Sequence, residues 1–177
     1  LALHGSPQAC GHSSHRPLQG SAPDRSARFN VALAHGAVLI PGVTEQDTSL
    51  ITSEEIAGSQ MDYVALGHWH RFGDYSSGGV AAAYSGSTEV LTIDQTDPGH
   101  ALLVTLSEAG VRLERVPTGA LRCESLTLDV EAHPDEAAVA RAIATRADGN
   151  LLLDVRVSGL APEGFTCDAL RLQEELE

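Results

Sequence analysis

The stretch Asp62-Tyr63-Val64-Ala65-Leu66-Gly67-His68-Trp69-His70 decides how this chain folds. Its apolar run has strand length and no alternation with polar residues, which is the pattern of a buried strand, and it ends in Gly-His-x-His. A second run, Phe29-Asn30-Val31-Ala32-Leu33-Ala34-His35-Gly36, reads the same way and stops at a His-Gly step. Between them, Thr52-Ser53-Glu54-Glu55-Ile56-Ala57 begins like a helix, with Thr52 or Ser53 as its cap and acids in its first turn. Strand, helix, strand is the order of a parallel α/β sheet. Upstream, Leu1 to Gly5 reads as a short strand end, followed by a loop rich in Ser, Pro, Gly and His as far as Arg25.

Downstream the pattern changes to strands alone. Val80 to Tyr84, Val90 to Ile93, Ala101 to Leu106 and Val111 to Val116 are expected to form a meander, the last two joined by a Glu108-Ala109-Gly110 turn. A Pro-Thr-Gly-Ala break at Pro117 to Ala120 is the expected domain boundary, giving domains at 1–118 and 119–177. In the second, Leu126, Leu128 and Val130 alternate with polar residues as a strand does. His133-Pro134-Asp135-Glu136 starts a helix with Ala137, Ala140, Ile143 and Ala144 as its apolar stripe, Leu151 to Val157 is a strand, and Asp168 to Leu176 is a final helix. The tail is thus predicted to be a small β-α-β module.

Composition bounds the function. Of 177 residues, 42% are hydrophobic and 20% charged, the balance of a folded globular chain. The longest uncharged apolar stretch, Val31 to Val43, contains His35 and Pro41 and is too short to cross a bilayer, so no membrane association is expected. Cys10, Cys123 and Cys167 are odd in number and lack Cys-x-x-Cys spacing, which argues against a disulfide framework and for a cytoplasmic location. Acids outnumber bases 24 to 11, every base is Arg, and the formal net charge is -13. Such a surface repels polyanions, so phosphate chemistry here requires bound cations. The chain opens on Leu1 and stops inside a helical pattern, and is read as a piece of a longer protein.

Chemistry concentrates where the two apolar strands end. His68 and His70, two positions apart on backbone freed by Gly67, can turn toward the carboxyl edge of the sheet, where open α/β sheets bind ligands. His35 ends the neighbouring strand in the same manner, so three imidazoles reach one edge, and neutral imidazole is a ligand for Zn, Mn, Fe and Ni. Arg71 follows as a fixed cation able to clamp a phosphate, and Ser85, Gly86 and Ser87 offer hydroxyls and backbone amides. Trp69 and Phe72 are read as packing residues before stacking platforms. Asp74 and Glu89 are the nearest acids able to act as ligands. His4, His12 and His15 sit in or near a polar loop, where His12-Ser13-Ser14-His15 has the spacing of a metal clip.

The stretches Phe29 to Gly36, Asp62 to His70 and Ala83-Tyr84-Ser85-Gly86-Ser87-Thr88-Glu89 resemble, in order and spacing, the calcineurin-like metallophosphoesterases, and within them the nuclease branch of SbcD-type DNA repair exonucleases. The resemblance covers Phe29 to about Val116, and more weakly the tail from Arg122. It implies the family's α/β core, an α+β sandwich present here in part, followed by a small capping module. It also implies that His35 and His68 bind one metal ion and His70 the other, in a pair of divalent cations, Mn first and Zn or Fe as alternatives. The family's Asp-x-His, Gly-Asp-x-x-Asp and Asn-His-Asp or Asn-His-Glu motifs do not occur in the chain. The bridging carboxylate and the catalytic histidine are therefore expected upstream, and no catalytic residue within this chain.

The leading reading is metal-dependent phosphodiester hydrolysis, by a DNA exonuclease in the complete protein, with the isolated chain inactive. DNA or another phosphodiester is the expected substrate, and an SMC-type ATPase and a second copy are the partners the resemblance implies. The alternatives are a non-catalytic scaffold module that binds a protein partner, and a phosphoesterase for nucleotides or small diesters.

Overall fold

The computed structural model describes residues 1–5, 16–47, 49–93, 95 and 97–176, so Cys10 and the His12-Ser13-Ser14-His15 spacing lie outside the described residues. The chain is a mixed α/β protein built mostly of strands, with nine strands and three helices among the described residues. It divides into two compact units, one of residues 1–91 and 95–119, the other of residues 92–94 and 120–177. No described helix is long and apolar enough to cross a membrane.

The first unit is organised by a five-stranded sheet. Strands β1 (Ala2–Gly5), β2 (Asn30–His35), β3 (Tyr63–Gly67) and β5 (Ala81–Ser85) run parallel, and the short β4 (Phe72–Asp74) lies antiparallel against β5 at the edge, in the order β1-β2-β3-β5-β4. Alternation along the strands sends Ala32, Ala34, Val64, Leu66, Ala82 and Tyr84 into one apolar cluster. Val31, Tyr63 and Ala83 enter another. The sheet is therefore covered on both faces, which is why β2 and β3 are continuous apolar runs rather than alternating ones. One cover is Ile56 of α1 (Ser53–Gly58), whose start is fixed by a capping box: Thr52 Oγ1 accepts from Glu55 N, and Glu55 Oε2 accepts from Thr52 N. The other is a hairpin of β6 (His100–Ser107) and β7 (Gly110–Pro117), whose Leu102, Val104, Leu106, Val111 and Leu113 pack on Val31, Tyr63 and Ala83.

Two expectations are corrected. The meander is a single hairpin, because β5 leaves it to pair in parallel with β3 in the register Leu66↔Tyr84. Val90 to Ile93 forms no strand, and Leu91 and Ile93 are 59% and 46% exposed. The amides that a ladder would have used are taken locally: Val90 N donates to Glu89 Oε1 at 2.8 Å and Leu91 N to Gln95 Oε1 at 2.8 Å.

In the second unit β8 (Arg122–Asp129) and β9 (Leu151–Ser158) pair in parallel and are joined through α2 (Glu136–Ala144), forming a β-α-β unit, followed by α3 (Ala169–Leu176). Asp135 caps α2 by accepting from Ala138 N at 2.7 Å. Leu128, Val139 and Leu172 form its buried centre, with Leu126, Ile143 and Val155 around them. Only one face of this sheet is apolar, since Thr127, Asp154 and Arg156 occupy the other.

Candidate metal centre

Parallel pairing of β2 with β3 places His35 directly beside Gly67. The ladder extends one step further, Gly36 N donating to Gly67 O at 3.0 Å, so both strands leave the sheet at one rim. Gly67 is needed there: a Cβ on it would stand 3.2 Å from His35 Nδ1, a tighter approach than side chains normally make. The His35 ring can therefore lie over the neighbouring strand.

The next residue, His68, has φ +135, a backbone conformation that residues with a Cβ rarely adopt and that costs about 1–3 kcal/mol. The turn it makes brings its ring edge-on to His35, with centroids 5.5 Å apart and planes at 75°. Both side chains are exposed. Two imidazoles at this separation, facing solvent at the carboxyl end of parallel strands, suit a shared divalent cation that prefers nitrogen donors.

His70 is also exposed, and its backbone is held firmly. Its carbonyl accepts from Ser87 N at 3.0 Å, Ser87 Oγ at 3.2 Å and Gln95 Nε2 at 2.9 Å, while Gln95 Nε2 also contacts Ser87 Oγ. Ser87 thus spends its amide and hydroxyl on the His70 backbone, and Ser85 Oγ donates to Gly86 O at 3.0 Å. Gly86, at φ +79, lets the loop after β5 press against Arg71 and Phe72: a Cβ there would stand 3.0 Å from the Arg71 carbonyl carbon. Arg71 itself is exposed beside this loop. The structure brings Arg71, Gly86, Ser87 and His70 together beside Ser85 at the end of β5.

The remaining candidates are engaged elsewhere. Asp74 Oδ1 accepts from Ser76 N at 2.9 Å and Ser76 Oγ at 2.7 Å, closing a turn, and Glu89 holds Val90 N. His4 Nε2 pairs with Asn30 Oδ1 at 2.9 Å on β1 and β2. Phe72 packs into the second cluster under the Arg115 guanidinium, 5.1 Å from its ring centre. Trp69 stacks on Tyr84, with centroids 5.2 Å apart and planes at 19°, and meets Tyr75 edge-on.

Two residues of this region carry no local sequence signal. Gln95 sits in a polar loop, and only the fold shows that its amide reaches His70. Tyr84 reads as one more residue of an apolar strand, yet its hydroxyl bonds into the loop that follows His35. Burial pushes the Tyr84 phenol up to about 12, and that of Tyr63 likewise to about 12, with Asp74 adding to the latter.

The donor set fits one cation in part. His35 and His68 supply two nitrogens, and among the described residues no three of His, Cys, Asp and Glu are gathered to hold a metal ion. A hydrolytic cation takes three protein donors and a bridged pair needs a carboxylate between the ions. Compared with known proteins, the chain matches no protein-family model and no curated protein.

Proposed function

We propose that this chain carries the histidine half of a two-cation phosphodiester hydrolase of the calcineurin-like metallophosphoesterase type, nuclease branch, with DNA ends as the substrate. The observation that carries this reading is the paired exit of β2 and β3, which sets the His35 and His68 rings 5.5 Å apart on a strained, solvent-facing turn. Strain at a rim of this kind is retained where function uses the resulting geometry. In this reading His35 and His68 hold one cation and His70 serves the second, and the bridging carboxylate comes from polypeptide outside the described residues. The cations, Mn first and Zn or Fe as alternatives, supply Lewis acidity and a water ionised near neutral pH. Arg71 steadies the substrate phosphate beside the loop of Ser85, Gly86 and Ser87. With a net charge of -13, the cations and this arginine are what let a polyanion approach.

A specific observation favours a second reading, a non-catalytic module: no three donors converge among the described residues. The two readings separate on one experiment. The natural polypeptide that contains these 177 residues is assayed for hydrolysis of bis(p-nitrophenyl) phosphate and of duplex DNA ends, with Mn²⁺ and with chelator. Manganese-dependent turnover lost on His70→Ala supports the hydrolase, and absence of turnover with every divalent cation supports the module.

A further inference from the structure

His35 closes β2 and His68 follows β3 at the same rim, and one side chain touches the segments that leave both strands. Tyr84 stands on β5, in register with Leu66 of β3, which is in register with Ala34 of β2. All three point into the same apolar cluster one step below the rim. Tyr84 is 0% exposed, and its hydroxyl reaches upward to the segment that follows His35. Its O–H donates to Gly36 O at 2.5 Å, and its oxygen accepts from Val38 N at 3.0 Å. The peptide groups of residues 36–38 pass through the core here, Ala37 and Val38 being buried, so these two bonds satisfy backbone groups that water does not reach. The same ring stacks on Trp69, the residue between His68 and His70.

We propose that Tyr84 is the positioning residue of the histidine pair: its hydroxyl fixes the backbone that follows His35 and its ring seats Trp69 behind His68, so the two imidazoles stay side by side. This rests on the reading of His35 and His68 as metal donors, and it deepens that reading by naming what holds them. A tyrosine suits the task where a phenylalanine does not. The hydroxyl serves as donor and acceptor at once, tying the two consecutive peptide groups on either side of Ala37. The aromatic body meanwhile supplies a flat face for the indole.

The test uses Cu²⁺ as the probe, the divalent ion that imidazole sites hold most tightly. On the unmodified chain, pulsed EPR is expected to count two equatorial imidazoles on one Cu²⁺, falling to one in His35→Ala and in His68→Ala. In Tyr84→Phe the two-imidazole signature is expected to fall to one, with Cu²⁺ affinity lower by about 10–100-fold, the usual effect of removing a group that orients a ligand. Tyr75→Phe, a change in the same aromatic cluster, is expected to keep both the signature and the affinity. A Val38 amide-to-ester replacement removes the N–H that Tyr84 accepts and leaves the ring in place, while also weakening the Ala37 carbonyl that accepts from Ile51 N, and is expected to weaken the two-imidazole signature in the same direction. Retention of that signature at unchanged affinity in Tyr84→Phe, or in the Val38 ester, overturns the proposal. If His35→Ala and His68→Ala leave the copper spectrum of the parent chain unaltered, the metal reading is what fails. Positioning is then judged from the nuclear Overhauser contact between the His35 and His68 ring protons, whose loss in Tyr84→Phe supports the proposal and whose persistence refutes it.

Discussion

The β2–β3 pair and the β8–β9 pair are both parallel neighbours joined through a helix, and their carboxyl rims are used in opposite ways. At the end of β8 the polar groups close a turn. Asp129 O accepts from His133 N at 3.0 Å and meets His133 Nδ1 at 2.8 Å, while Asp129 Oδ1 accepts from Glu131 N at 3.0 Å. At the ends of β2 and β3, His35 and His68 face solvent and each other, and His68 stands at positive φ. The covering of the strands explains the contrast. The first sheet is packed on both faces, so its rim is fixed by two apolar layers, whereas the second has one apolar face. A strained residue persists only where its surroundings over-determine it, and the first rim meets that condition.

The largest effects should follow this difference in covering. Ile56→Ala, at a fully buried position of the first unit, is expected to cost about 2–5 kcal/mol in chemical denaturation. Leu152→Ala, 40% exposed on the polar side of β9, should cost under about 1 kcal/mol. Equal costs would remove the distinction between the two sheets.

Alkaline pH separates the units next. Tyr63, Tyr75 and Tyr84 all belong to the first unit. Burial raises the phenols of Tyr63 and Tyr84 to about 12 in the folded chain, against about 10 when unfolded. A raised folded value means that the contribution is fully present below pH 10 and is lost as pH climbs toward 12. The expected loss is about 2–3 kcal/mol per group. A denaturation series from pH 9 to 12 should show the drop in the first unit, with Tyr84→Phe removing its share. A drop of the same size with both tyrosines replaced by phenylalanine would contradict the assignment.

Smaller and opposite in sign are the effects at the two rims. His68→Gly relieves the positive φ and is expected to stabilise the first unit by about 1 kcal/mol while removing one of the two rim imidazoles. His133→Ala removes the ring contact with Asp129 O and should destabilise the second unit by about 0.5 kcal/mol. Thermal melts of the pair check the signs. Smallest of all, the exposed Arg28–Glu108 ion pair of the first unit should yield about 0–1 kcal/mol in a double-mutant cycle and vanish at high salt.

How much was legible in the sequence depended on whether a signal was local. The strands at Asn30–His35 and Tyr63–Gly67 follow from unbroken apolar runs, and the start of α1 from Thr52 with Glu55 three residues on. The adjacency of His35 and His68 follows once those strands are neighbours ending level. The partner of β5 was not legible, because an apolar run does not state which strand it joins. β4 is three residues with Gly73 at its centre, below any periodicity. The absence of a strand at Val90–Ile93 depended on Gln95 and Glu89 capturing amides, which is a matter of geometry. At the site, the positive φ of His68, the Gln95 bond to His70 and the Tyr84 bonds to residues 36–38 all depend on chain segments meeting in space.

The central claim is that the paired ends of β2 and β3 make His35 and His68 one ligand set. The most direct measurement is paramagnetic broadening of the imidazole ring signals as substoichiometric Mn²⁺ is added to the chain labelled at histidine. The His35 and His68 signals are expected to broaden together and first, while those of His4, His100 and His133 persist at the same Mn²⁺ level. Broadening that begins at His133 or His100, or that touches His35 without His68, would contradict it.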